Sequence, residues 1–185
     1  LPLSRSVHVD TFARDGLPPP DQWPQFLFDL PDVHYPDRLN CAQRLIDDTA
    51  DRFGPDRRCL VTAAESWTYG QLRDRSDRVA SVLAGRLGLL PGNRVLLRAP
   101  NNPWLVATWL GVLKAGGVVV LTMPLLRSGE LVTTIELTPP DLAICDHRFL
   151  DDWHTARELA CPAMILLPYG GYTEDDLVRL ADDAQ

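Results

Sequence analysis

Pro168-Tyr169-Gly170-Gly171-Tyr172-Thr173 has the residue types of a phosphate-binding turn, glycine-rich and set between an apolar run and a helical stretch. Such a turn works when unpaired backbone N–H groups at a helix start face an anion. Here Glu174, Asp175 and Asp176 follow at once. Placed in the first helical turn, they would complement its dipole themselves and repel a phosphate from the same amides. No lysine accompanies the turn to hold terminal phosphates, so it reads as a capping turn. A second group, Asp146-His147-Arg148 with Asp151-Asp152-Trp153-His154, gathers acids and histidines of metal-ligand type. On one continuous helix His147 and His154 would share a face but stand two turns apart, about 10 Å by helix rise. Zinc ligands sit closer, one turn apart or in a short knuckle. Asp146 as the cap of a solvated helix start accounts for these residues.

Two more turns follow apolar runs. In Ala99-Pro100-Asn101-Asn102-Pro103, Asn102 has the chemistry of an N-cap and Pro103 that of a first-turn residue. Thr122-Met123-Pro124-Leu125 offers only Thr122 to fix a ligand. His8 and His34 have no partner in view, and no Ser/His/Asp or Cys/His arrangement occurs. The sequence therefore assigns no catalytic, cofactor-binding or metal-ligating residue.

The elements that must position these turns form an α/β pattern. Residues 1–39 are rich in proline and aromatics, with no helical or strand period, and read as an irregular leader whose side chains dock where they can. From residue 40 to 185 the chain reads as one α/β unit. Asn40 caps a helix in which Ala42, Leu45, Ile46, Thr49 and Phe53 recur at helical steps, closed by Gly54 and Pro55. Cys59-Leu60-Val61-Thr62 and Ser66-Trp67-Thr68-Tyr69 predict a hairpin. A helix from Tyr69 to about Leu87 follows, with Leu72, Val79, Ala80, Leu83 and Leu87 on one face. Strand-like runs at 94–97, 118–121, 141–145 and 164–167 then alternate with helices opening at Asn102-Pro103, at Ser128, over 147–160 and after Thr173. Apolar strands alternating with helices predict a parallel sheet flanked by helices on both faces. The helix from Pro103 to Ala115 is apolar enough to be sandwiched.

Composition excludes several classes. The chain has 185 residues, 45% of them hydrophobic, which suffices for one domain with a substantial core. A net charge of -7 argues against nucleic acid or an anionic membrane as partner. Lys114 is the sole lysine, and Arg73-Asp74-Arg75-Ser76-Asp77-Arg78 reads as a solvated helix face of mixed charge. Cys41, Cys59, Cys145 and Cys161 lack CxxC spacing and suit a reducing cytoplasm. Leu1-Pro2-Leu3-Ser4-Arg5-Ser6 lacks the apolar core of a signal peptide.

One further pattern lies in order and interval. Glu65-Ser66-Trp67-Thr68-Tyr69-Gly70-Gln71-Leu72, Pro91-Gly92-Asn93-Arg94-Val95, Ala99-Pro100-Asn101-Asn102-Pro103 and Leu113-Lys114-Ala115-Gly116-Gly117-Val118 together resemble the opening segment of the adenylate-forming acyl-CoA synthetases. In the leader, Val9-Asp10-Thr11-Phe12-Ala13-Arg14-Asp15 and Leu17-Pro18-Pro19-Pro20-Asp21-Gln22-Trp23-Pro24 resemble the benzoate and 2-aminobenzoate CoA ligase branch.

The resemblance implies a parent enzyme in which a carboxylate attacks the α-phosphate of ATP to give an acyl-adenylate, and the thiol of coenzyme A then displaces AMP. It implies ATP, Mg²⁺ and coenzyme A for that parent and none bound by this chain, because the family's Ser/Thr/Gly-rich loop ending in Pro-Lys-Gly does not occur before Gln185. Lys114 matches a position the family uses structurally. The expectation is an amino-terminal subdomain, inactive alone, whose partner is the remainder of its polypeptide and whose exposed apolar surface drives self-association. Two alternatives remain open: a stand-alone, non-catalytic interaction protein with this fold, and a piece of a fatty-acyl or amino-acid-activating enzyme.

Overall fold

The computed structural model describes residues 6–28, 30–171 and 173–184. Leu1 to Arg5, Tyr172 of the glycine turn and Gln185 lie outside the described residues. Four strands, β3 (Arg94–Arg98), β4 (Val118–Thr122), β5 (Leu142–Asp146) and β6 (Ile165–Tyr169), form one sheet in the order β4-β3-β5-β6. All three pairings are parallel, with Leu96 opposite both Val120 and Ala143, and Ala143 opposite Leu166. The expected runs become strands within one or two residues of their predicted ends.

Strand geometry sends successive side chains to opposite faces, which explains why runs apolar at every position serve here. Val95, Leu97, Leu142, Ile144, Leu167 and Tyr169 enter one core. They meet α3 (Tyr69–Ser81), α4 (Pro103–Lys114) and α7 (Leu177–Asp183) there. Leu96, Ala143 and Cys145 enter the other core, against α5 (Ser128–Leu137) and α6 (Leu150–Ala160). Trp153 of α6 is fully buried in that second core.

Beyond α3 and α4 lies an outer layer. It contains α2 (Asp48–Phe53), the preceding π-helical turn Gln43–Asp47, and the antiparallel hairpin of β1 (Arg58–Val61) and β2 (Ser66–Thr68). Ala107 and Leu110 of α4 pack there with Ala42, Ile46, Trp67 and Leu72, so α4 is sandwiched as its composition requires, with Trp109 exposed. The α3–α4 crossing is close because residue 111 is glycine. A Cβ there would stand 2.5 Å from Val79 Cγ1.

Some expectations are corrected. Asn40 does cap its helix, its Oδ1 accepting from the amides of Ala42 and Gln43. The buried stripe, however, is Ala42, Ile46 and Ala50, while Leu45 and Phe53 are exposed. Lys114 is tied to Asp47 at 2.7 Å and Asp77 at 2.6 Å, joining three helical segments. Among the described residues the leader contains one α-helical turn, α1 (Phe12–Asp15), and two 3₁₀ turns, Pro20–Gln22 and Pro31–Val33, and its Phe26, Phe28 and Tyr35 rings pack on one another rather than on the core. Among the described residues no helix is long and apolar enough to cross a membrane.

Candidate functional site at the strand carboxyl ends

In an open parallel sheet, ligands collect beyond the strand carboxyl ends where neighbouring strands connect in opposite directions. Here β3 leads through α4 to β4 on one side. Its other neighbour, β5, leads through α6 to β6 away from it. The switch point therefore falls between the turn after β3 and the turn after β5.

Three turns that look independent in sequence meet there. Asn102 caps α4 through Oδ1, which accepts from the Leu105 amide at 2.8 Å. Its Nδ2 donates to the Tyr169 hydroxyl at 3.2 Å and to Asp146 at 3.4 Å. Asp146 is 3% exposed and receives two guanidinium bonds from Arg148, at 2.8 and 2.7 Å, as well as the Arg148 amide. Asp146 thus acts as the expected cap, of the short 3₁₀ turn His147–Phe149. His147 lies in that turn and His154 on α6, which begins only at Leu150. This corrects the shared helix face, because the 3₁₀ turn and the change of direction at Phe149 interrupt the helix between them.

His147 instead packs against the glycine turn. A Cβ on Gly170, whose φ is +78°, would stand 3.4 Å from His147 Nδ1. The helix after that turn is also corrected. It starts at Leu177, so Glu174 and Asp175 precede it rather than filling its first turn. Asp176 is the N-cap, accepting from Val178, and it also accepts from the Gly171 amide at 2.6 Å. A carboxylate of the chain therefore already occupies that amide of the glycine turn.

A second knot lies alongside. Arg98 ends β3, is 1% exposed, and forks onto three carbonyls: Phe149 at 3.2 Å, Pro124 at 2.7 Å and Leu126 at 2.5 Å. Asp152 stands 3.5 Å from it, receives the Ser128 amide, and also faces Arg127. Arg98 Nε has no partner among the described residues. Thr122, the one polar group of its turn, bonds back to the Leu97 carbonyl.

The electrostatics suit holding rather than proton transfer. Burial pushes the Asp146 carboxyl up, but the bonds and charge from Arg148 outweigh it and leave the group below the ordinary carboxylate range. Burial raises the Tyr169 hydroxyl, against the bond from Asn102. Burial likewise pushes the Cys145 thiol up to about 12, with Arg98 opposing, which makes it inert as a nucleophile. At neutral pH Asp146 is ionised and Tyr169 and Cys145 are neutral, so none of the three is poised as a general acid or base. The cluster ties three turns together and leaves the outer edges of His147 and Arg148 facing solvent.

Sequence reasoning weighed Asn102, Asp146 and the glycine turn one at a time and assigned each a local role. It missed their meeting, and it gave Tyr169 and Arg98 no role. No local signal gave that meeting, because it depends on which strands lie side by side.

Fold and site together define an open α/β unit, with its polar cluster at the carboxyl ends of a parallel sheet flanked by helices. The particular family follows from comparison. Residues 46–175 match the AMP-binding enzyme family, and the chain belongs to it.

Over 92 residues it is 36% identical to the salicyl-AMP ligase / salicyl-S-ArCP synthetase of Mycobacterium tuberculosis, covering 47% of this chain and 16% of that protein. A benzoate CoA ligase from Burkholderia xenovorans LB400 superposes with a TM-score of 0.71 at 26% identity, over 80% of this chain and 29% of that one. The anthranilate CoA ligase AuaEII in complex with anthranoyl-AMP gives a TM-score of 0.70 at 20% identity, over 77% of this chain and 27% of that one. The chain thus spans less than a third of the length of each of these relatives.

Proposed function

We propose that this chain is the amino-terminal part of an ATP-dependent aryl-CoA ligase acting on benzoate or 2-aminobenzoate. In that reaction a carboxylate oxygen bonds to the α-phosphorus of ATP and pyrophosphate leaves. The coenzyme A thiol, losing its proton, then bonds to the acyl carbon and AMP leaves. The observation that carries the reading is the family match over residues 46–175 in a chain superposing on a benzoate CoA ligase.

What this chain's residues contribute is position. Arg98 and Asp146 hold the turns that face the ligand side, and Asn102 with Tyr169 ties β3 to β6. The carboxylates at this face do not fit Mg²⁺, since Asp146, Asp152 and Asp176 are already taken up by Arg148, by Arg98 with the Ser128 amide, and by the Gly171 and Val178 amides. No metal step is drawn through them.

Calorimetric titration of the chain with ATP·Mg²⁺, benzoate, 2-aminobenzoate and coenzyme A in turn tests the assignment. No saturable heat is expected from the chain alone, because the nucleotide grip belongs to other sequence. Saturable ATP binding would overturn that placement. Failure of a protein containing this sequence together with the rest of a ligase to form a thioester from either aryl acid would overturn the substrate.

The same reading assigns the open edge of β4 to the remainder of such a polypeptide. Leu121, Met123 and Leu125 are 62–79% exposed, in a stretch with no charge from Val118 to Leu126. Uncharged strand edges invite pairing. Left uncovered, this edge is expected to drive self-association, read as a rise in sedimentation coefficient with concentration. A strict monomer at high concentration would remove the expectation.

A further inference from the structure

The leader is anchored at the opposite end of the sheet from the candidate site. The amides of Val9 and Asp10 both donate to the Pro91 carbonyl, at 2.9 and 3.0 Å. The Asp10 carboxylate accepts from Arg94, from Asn93 Nδ2 at 3.1 Å and from the Phe12 amide at 3.0 Å. The Phe12 ring lies 4.7 Å from the Arg94 guanidinium carbon. Close approach is possible because residue 92 is glycine: a Cβ there would fall 2.0 Å from the Asp10 carbonyl oxygen, and its φ is +94°. Asn93 in turn accepts from the Leu90 amide. It lines a cavity of about 350 Å³ with Leu87, Leu89, Leu90, Asp141, Leu142, Ala163 and Ile165.

We propose that residues 8–15 form a strap that latches the amino-terminal end of the sheet, with the Asp10 carboxylate as the charge whose protonation releases it. The design allows release without loss of the sheet. Arg94 is 7% exposed and keeps the Thr138 carbonyl at 2.9 Å, the Pro139 carbonyl at 2.6 Å and Asp141 at 3.6 Å when Asp10 withdraws. No buried charge is stranded, so the strap opens as a local unit.

Among the described residues, the charged and titratable groups on the strap and against it are Arg94 on β3, Asp141 beyond it, His8 beside Gly92, Arg14, and Asp15, which receives the Thr11 hydroxyl. The Phe12 amide and Arg94 lower the Asp10 carboxyl, against burial. A carboxyl lowered in the latched state stabilises the latch fully above its ordinary pKa of about 4, and that stabilisation is lost as pH falls through the latched value. Opening withdraws the Asp10–Asn93 bond from the rim of the cavity.

Hydrogen exchange with peptide resolution tests the strap directly. At pH 7, amides in 8–17 of the wild-type chain are expected to exchange at least tenfold more slowly than in Asp10→Asn, while amides of β3 exchange alike in both. Lowering the pH below about 4 is expected to reduce strap protection, measured relative to β3, progressively toward the Asp10→Asn level. In Asp10→Asn that ratio stays flat with pH. A wild-type strap exchanging as free chain at pH 7, equal protection in the two proteins, or a wild-type ratio independent of pH would each overturn the proposal.

Discussion

Replacing Arg98 with alanine is expected to lower the unfolding free energy by about 3–5 kcal/mol, the range for removing one partner of a buried ion pair. Three carbonyls on two connections, those of Pro124, Leu126 and Phe149, lose their donor, and Asp152 loses a buried cation. Denaturant unfolding followed by circular dichroism measures the loss as a lower midpoint at unchanged slope. Arg98→Lys is expected to recover only part of it. An ammonium is a point charge and lacks the planar fork that reaches carbonyls in two directions. Full recovery by lysine would mean that charge alone matters and that the fork is incidental. Increased exchange at amides 123–127 in the alanine variant would show that the turn itself has loosened on the ligand side.

Trp153→Ala is expected to cost about 3–5 kcal/mol, as for other large-to-small changes at fully buried aromatic positions. Leu96, Leu131, Ile135, Ala143, Cys145 and Met164 share its buried core. They join α5 and α6 to one sheet face, so the cavity left behind lies between layers that cannot readily collapse. Trp153→Phe isolates the polar part of the residue. The indole N–H has no partner among the described residues, and a buried donor left unmade is itself unfavourable. Removing that donor offsets part of the lost volume, so the phenylalanine variant is expected to lie much closer to wild type in chemical denaturation. Equal losses in the two variants would point to a hydrogen bond from Nε1 and sink this account.

The parallel sheet was legible from residues such as Val118-Val119-Val120-Leu121, because a strand covered on both faces needs no alternation. Asn102 and Asp146 were legible as caps because capping is local, a matter of one side chain and the next three amides. Their association with Tyr169 was not, because it depends on strand order. Nothing in the turn after β3 reveals that β5 will lie on its other side from β4, with β6 next to β5. The anchoring of the leader was not legible, since Asp10 and Arg94 are 84 residues apart and neither is apolar. The break between His147 and His154 was invisible for a simpler reason. A short 3₁₀ turn and the first turn of an α-helix draw on the same residue types.

The order β4-β3-β5-β6 also dictates a sequence of events in time. Leu96 meets Val120 24 residues later (120 − 96) and Ala143 47 residues later (143 − 96). Doubling a loop adds only about 0.6 kcal/mol of closure entropy, so the longer closure is a delay rather than a barrier. On a ribosome that delivers the chain from its amino terminus, β3 and β4 can pair while β5 is still unmade. During that interval the central strand of the finished sheet is an outer one, with the uncharged row Val95-Leu96-Leu97 along its bare side. Arg94 and Arg98 bracket the row at either end, the two charges standing between that nascent edge and another chain's.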